Sequence, residues 1–193
     1  MSNSYDMIER NILGGACIVF STVVARFVDH QYLSPALFAM GIVLVIVLDL
    51  GLVTRAVPSG EDVAHCVSAL AVNILTAWVL GLMYLGVPEF AVEFGHPSEY
   101  FLPAVATGII IGLVSVVNKH KSEYTVPMTF MLMWTFVYLG LPHCVVYAVY
   151  LAANCMVDST GAMVLLSIIA GNIAGGLIIR SADKLIQSER AGR

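Results

Sequence analysis

Residues Val126–Leu151 read VPMTFMLMWTFVYLGLPHCVVYAVYL, an apolar run interrupted near its middle by Gly140-Leu141-Pro142-His143. The run exceeds the roughly 20 residues that a bilayer crossing needs. Pro142 removes a backbone donor and clashes with the preceding turn. At membrane depth such a break is tolerated only where protein or a water-lined cavity meets the freed backbone groups. This stretch therefore predicts a membrane span broken in two, with an ionisable side chain at the break.

The rest of the chain fits that reading. Of 193 residues, 59% are hydrophobic and 11% charged, and the mean hydropathy is +0.89. A soluble domain runs about 45–50% apolar and about 25% charged, so a soluble fold is excluded. Apolar segments recur at approximately Asn11–Val28, Ala36–Thr54, His65–Leu85, Leu102–Val117, Val126–Leu151 and Ala162–Ile179. Six crossings would use about 120 residues and leave only short loops. The expectation is an all-α polytopic membrane protein: one transmembrane domain over 1–193, with a short N-terminus (1–10), a C-terminal tail (181–193), and no catalytic or nucleotide-binding appendage. Asp6, Glu9 and Arg10 do not make a basic leader, so no cleaved signal is expected. Cys17, Cys66, Cys144 and Cys155 form no CxxC pair, so neither zinc nor a disulfide framework is indicated. The second segment carries Asp49 and then Gly51, and is the other candidate for a broken helix.

Basic residues set the expected orientation. Arg10, Arg55, Lys119, Lys121, Arg180, Lys184, Arg190 and Arg193 fall on one side and only Arg26 on the other. By the positive-inside rule both termini are cytoplasmic, and the loop with Glu89, Glu93 and Glu99 faces out. The two halves also read as copies. Val72-Asn73-Ile74-Leu75-Thr76-Ala77 matches Gly171-Asn172-Ile173-Ala174-Gly175-Gly176, and each follows a span with a polar interruption. Three spans per half make the second half inverted, a transporter arrangement that places discontinuous helices around a site near the midplane.

Several side chains could carry chemistry. An ionisable group in the bilayer is costly unless it lines water or finds a partner, and histidine readily exchanges a proton near neutrality. His143 therefore reads as a site for anion contact and proton transfer, against the plainer reading of a kink with a bonded imidazole. Asp49 reads as a carboxylate accepting backbone N–H groups at the break in span two, or as a proton acceptor or cation ligand. Asn73 and Asn172 read as hydrogen-bonding residues that tie down the broken segments, and the glycines Gly14, Gly15, Gly171, Gly175 and Gly176 as close helix packing. Lys119 and Lys121 form either a cytoplasmic funnel for anions or merely the positive loop that any such protein has.

Together these segments resemble the formate/nitrite transporter family, which includes formate, nitrite and hydrosulfide channels. Gly140-Leu141-Pro142-His143-Cys144 is similar to the family's Gly-Phe-Glu-His-Ser segment, which puts His143 at its central pore histidine. Gly171–Gly176 is similar to the Gly-Asn-x-x-Gly-Gly of the sixth span. Asp49-Leu50 with Thr54 resembles the acidic-Leu-Phe-Thr element of the broken second span, and Gly14-Gly15-Ala16 the small-residue motif of the first. The chain departs from the family at Pro142, where a glutamate is expected, at Tyr147, where an asparagine is expected, and in the Asp49–Thr54 spacing. Fewer polar groups beside His143 favour a less hydrated or more apolar weak acid.

The resemblance implies a homopentamer of aquaporin-like protomers in a bacterial inner membrane, each with its own pore. It implies pore or substrate contacts from His143, Thr54, Asp49, Asn172 and Tyr147, with Leu50, Leu139, Leu52 and Leu141 as constriction candidates near the breaks. The expected function is a channel for a small monovalent anion or its conjugate acid, of the formate, nitrite, hydrosulfide or acetate type. No enzyme activity, cofactor, resident metal or nucleic-acid partner is expected. One alternative is a cation or metal transporter using Asp49, His143 and the cysteines, although soft metals want clustered ligands and span five offers only His143-Cys144. Another, a membrane enzyme or haem protein, would need several ligands at one depth, and of the five histidines only His143 falls in the interior of a span.

Overall fold

The computed structural model describes residues 4–119, 123–156 and 158–192, which form eight α-helices and no strand. These are α1 (Ser4–Val28), α2 (Leu33–Val47), α3 (Val53–Ser59), α4 (Val63–Gly81), α5 (Ser98–Lys119), α6 (Thr125–Tyr138), α7 (Cys144–Ala153) and α8 (Ser159–Ala191). Within α1, α4 with its 3₁₀ extension, α5 and α8, the stretches Asp6–Val28, Val63–Tyr84, Ser98–Lys119 and Ser159–Arg190 are each long and apolar enough to cross a membrane. The protein is therefore a helical multi-pass membrane protein. The 15 residues of α2 reach only about 22 Å, short of the roughly 30 Å of hydrocarbon. Segments two and five are each divided between two helices, α2 with α3 and α6 with α7, and the chain leaves helix at 48–52 and 139–143. The last helix outruns its apolar segment, because α8 continues without interruption through Ala191.

Both interruptions close the preceding helix in the same way. After α2, Asp49 N–H donates to Ile46 O (3.1 Å) and Leu50 N–H to Val45 O (2.8 Å). After α6, Gly140 N–H donates to Val137 O (2.9 Å) and Leu141 N–H to Phe136 O (3.2 Å). This paired pattern satisfies the last carbonyls of a helix and needs a left-handed residue just beyond it. Asp49 (φ +52°) and Gly140 (φ +64°) fill that position.

Close helix approach then brings the loops into the bundle. A Cβ on Gly14 of α1 would overlap the Gly51 carbonyl, so only glycine lets loop 48–52 lie against α1. Likewise a Cβ on Gly175 of α8 would meet the Val105 carbonyl of α5, and α5 and α8 form the most extensive helix pair. The apolar core runs between these helices and includes Ile18, Val45, Val53, Met133, Phe136, Val145 and Ile168, each at most 3% exposed.

Candidate functional site

The second helix of each broken pair starts inside the protein, where its first N–H groups need acceptors. Neither Leu52 nor His143, the residues preceding α3 and α7, supplies a side-chain cap. An asparagine from another helix does so instead. Asn73 of α4 accepts from Val53 N–H at 2.9 Å and donates to the Gly51 and Asn11 carbonyls at 3.1 and 2.7 Å. Asn172 of α8 accepts from Cys144 N–H at 3.0 Å and donates to the Pro142 and Ala104 carbonyls at 3.2 and 3.0 Å. Thr107 Oγ1 of α5 adds a donor to the Pro142 carbonyl at 2.8 Å. Both amides are thus engaged by backbone, and both asparagines are at most 2% exposed.

Held in this way, the loop at 139–143 ends with the His143 ring in the core, 2% exposed. Its Nε2 lies 3.2 Å from Oγ1 of Thr54 on α3, so residues from the two interrupted pairs meet at the imidazole. The Phe136 ring stands edge-on at 6.1 Å between centroids. His143 Nδ1 is buried and has no hydrogen-bond partner among the described residues. A buried polar atom left unpaired is costly and calls for an explanation. The imidazole and Thr54 line a gap of about 20 Å³ whose other walls include Ile42, Val45, Ile46, Leu52, Ile111 and Met133. That volume is enough for about one water.

Larger clefts open at the two ends of the bundle. At the Arg26 end a cleft of about 570 Å³ is lined by Arg26, Phe38, Phe136, Leu141, Tyr147 and Tyr150, among others. Tyr147 lies one helical turn beyond His143 and packs edge-on against Phe94, Tyr100 and Tyr150. Arg26 sits 5.5 Å from the centre of the Tyr150 ring and donates through Nε to Glu89 O at 2.7 Å. At the Arg10 end a smaller cleft of about 180 Å³ is lined by Arg10, Asn11, Asp49, Leu50, Leu52 and Arg55, with Asp6, Glu61 and His65 among its other residues. Leu52 and Arg55 border both this cleft and the gap at His143.

Asp49 requires a correction. It accepts no backbone N–H group among the described residues. Its side chain is 64% exposed at the end of α2 and is ion-paired with Arg10 and with Arg55, the latter at 2.8 Å. The physical reason is that the backbone donors around it are already used. Residues 49, 50 and 51 donate to the Ile46, Val45 and Arg10 carbonyls, and Val53 to Asn73. Two guanidinium groups, from α1 and α3, are the partners that remain.

The other expected residues are scattered. Leu139 caps α6, is 59% exposed, and lines neither the gap nor the clefts. Lys119 pairs with Asp183 of α8 at 3.0 Å, and Lys121 lies outside the described residues. Asp49 and His143 line separate cavities, and no group of three His, Cys, Asp or Glu among the described residues could hold a metal ion. Arg10, Arg55, Asn11 and Thr107 stand out only in the structure. Arg55 had a weak signal, an opposite charge six residues after Asp49; the others had none, because their partners are distant in sequence.

No family model and no curated protein matches the sequence. Among solved structures, the chain is similar to a pentameric formate channel with formate bound, with a TM-score of 0.70 and 17% identity over 94% of each chain. It is also similar to an FNT family ion channel, with a TM-score of 0.65 and 13% identity, covering 94% of this chain and 88% of that one. At these identities the likeness establishes the fold, which is that of these channels.

Proposed function

We propose that the chain is a divergent formate/nitrite transporter and conducts a small monovalent anion or its conjugate weak acid. The observation that carries this reading is the buried His143–Thr54 pair, 3.2 Å apart where the two broken helix pairs meet. The proposal includes six spans as two inverted three-helix repeats, with α2–α3 and α6–α7 as the broken ones. The matched caps by Asn73 and Asn172 support it. Both termini are cytoplasmic, as the distribution of Lys and Arg supports, so the Arg10 cleft faces the cytoplasm and the Arg26 cleft the outside. Pentameric assembly in a bacterial inner membrane is proposed by analogy with the pentameric formate channel.

The mechanism follows from the cost of desolvation. A bare anion crossing the apolar gap would lose its hydration, whereas the neutral acid loses far less. The anion enters from a polar cleft, takes at the imidazole a proton that water of the same cleft supplies, crosses in neutral form, and returns the proton to water on the far side. Thr54 Oγ1 holds one ring nitrogen, which fixes the ring and leaves Nδ1 for the permeating acid. The aromatic lining of the outer cleft at Phe38, Phe136 and Tyr147 favours acids with some apolar surface.

Proteoliposomes loaded with the native protein test the reading. Uptake of formate, acetate, nitrite and hydrosulfide is measured at two pH values, with divalent metals as a separate arm. Uptake of at least one weak acid above protein-free vesicles, rising as pH falls, is expected. No weak-acid uptake at either pH would sink the proposal, and metal uptake in its place would favour the cation reading.

A further inference from the structure

The Arg10 cleft holds a charge arrangement that weak-acid transfer at His143 does not use. Arg10 and Arg55 converge on the Asp49 carboxylate from opposite helices. Each is also tied to the loop backbone: Arg10 Nε donates to Asp49 O at 2.9 Å and Arg55 Nη1 to Leu50 O at 3.2 Å. Those carbonyl bonds keep both forks in position whether or not the carboxylate lies between them. The carboxylate itself is on an arm that is 64% exposed.

Two further observations point to a ligand. Asn11 lines the same cleft and is 1% exposed, yet neither Oδ1 nor Nδ2 of its side chain has a partner among the described residues. A buried amide in that state is short of the hydrogen bonds it needs. The other observation is the backbone at Asp49. Its φ of +52° is a conformation that glycine fits best, and the matching position of the other loop is Gly140. The first loop carries a carboxylate where its counterpart carries no side chain at all.

We propose that Arg10 and Arg55, with Asn11 as a neutral donor, form a binding site for a small monovalent oxyanion, and that Asp49 is a tethered carboxylate occupying it when no anion is bound. Guanidinium forks match carboxylate and nitrite geometry. Exposed ion pairs hold weakly, at about 0–1 kcal/mol each, so a free anion that pairs with both forks displaces Asp49, which swings into the open side of the cleft. Asp6 and Glu61 on the same cleft keep its mouth from becoming a general anion sink, so filling depends on the fork contacts. Transport past this site rests on the channel reading, but binding at it does not.

Sodium formate is titrated against the full-length protein in detergent, with the melting temperature as readout and sodium gluconate at matched ionic strength as control. Asp49→Asn is expected to bind formate at least about fivefold more tightly than the native protein, because the tethered competitor is gone. Asp49→Glu keeps the competitor and stays within about twofold of native. Arg10→Gln added to Asp49→Asn removes the gain. The proposal is overturned if Asp49→Asn binds no tighter, if gluconate reproduces the effect, or if the gain survives Arg10→Gln. Should Asp49→Asn not fold, Arg10→Gln alone decides: formate binding about threefold or more weaker than native supports the site, and unchanged binding overturns it. A native protein that carries no weak acid in vesicles would end the channel reading and leave this titration standing.

Discussion

Loops 48–52 and 139–143 leave one helix and begin the next through the same contacts. Leu48 and Leu139 cap the outgoing helix, and Asp49 and Gly140 take the left-handed turn. Leu50 and Leu141 close it, and Val53 and Cys144 start the next helix on an asparagine amide. Their side chains differ at three places, and two of these carry chemistry, since Gly51 against Pro142 sets one apolar residue against another. Just before the new helix the first loop has Leu52 and the second His143, and at the left-handed turn the first has Asp49 and the second Gly140. The backbone device is thus common to both loops and the chemistry is divided between them. The second loop sets an imidazole in the core, and the first sets a carboxylate between two arginines in a cleft at one end of the bundle.

The sharpest way to break this division is to remove the imidazole. His143→Asn is expected to lower weak-acid flux by a factor on the order of 100, the usual contribution of a positioned proton-transfer group. Leu52→Met, a volume-conserving change at the matching position, should leave flux within about threefold of native. Proteoliposome uptake across pH 5–8 checks both. Equal losses in the two variants would mean that the gap depends on shape alone and not on the imidazole.

The shared device is tested at the asparagines. Asn172→Ala leaves Cys144 N–H without its acceptor and takes one of two donors from the Pro142 carbonyl, which keeps Thr107; a buried group left unsatisfied costs about 1–3 kcal/mol. A loss of about 3 kcal/mol is expected, which lowers the melting temperature by roughly 6–12 °C. Asn73→Ala should cost a similar amount, since it strips Val53 N–H and the Gly51 carbonyl in the same way. Flux per folded protein should fall further for Asn172→Ala, because the loop that it releases carries His143. Thermal melts of the purified variants, paired with uptake, separate the two effects.

Much of this was legible in the sequence because lipid restricts what a polar residue can do. Pro142, His143 and Asp49 each stand out in an apolar run, and the Asn73 and Asn172 motifs share a register that two similar halves would need. Helix boundaries were less legible. Ser181–Ala191 lacks the hydrophobicity of a span, and nothing local said that α8 would continue through it. The position of Asp49 was hidden for a different reason. Its depth depends on how far α2 runs before turning, and its partners are Arg10, 39 residues away, and Arg55 beyond the break. Leu139 is exposed because it caps α6 ahead of the left-handed turn at Gly140, four residues before the histidine.

The smallest expected effects bear on the turn itself. No atom lies within 4 Å of the position a Gly140 Cβ would take, so Gly140→Ala meets no steric barrier. Its cost is conformational alone, about 1–2 kcal/mol for an L-residue held left-handed, or a melting shift of roughly 2–8 °C. Asp49→Gly runs the same change backwards. It relieves that strain by a comparable amount and gives up two exposed ion pairs, each worth about 0–1 kcal/mol. The two terms nearly cancel, so Asp49→Gly should melt within roughly 3 °C of the native protein. If Asp49→Gly instead falls further than Gly140→Ala, the carboxylate is a structural clasp between α1 and α3 and not a displaceable arm. The two loops would then differ in what holds them together as well as in what they carry.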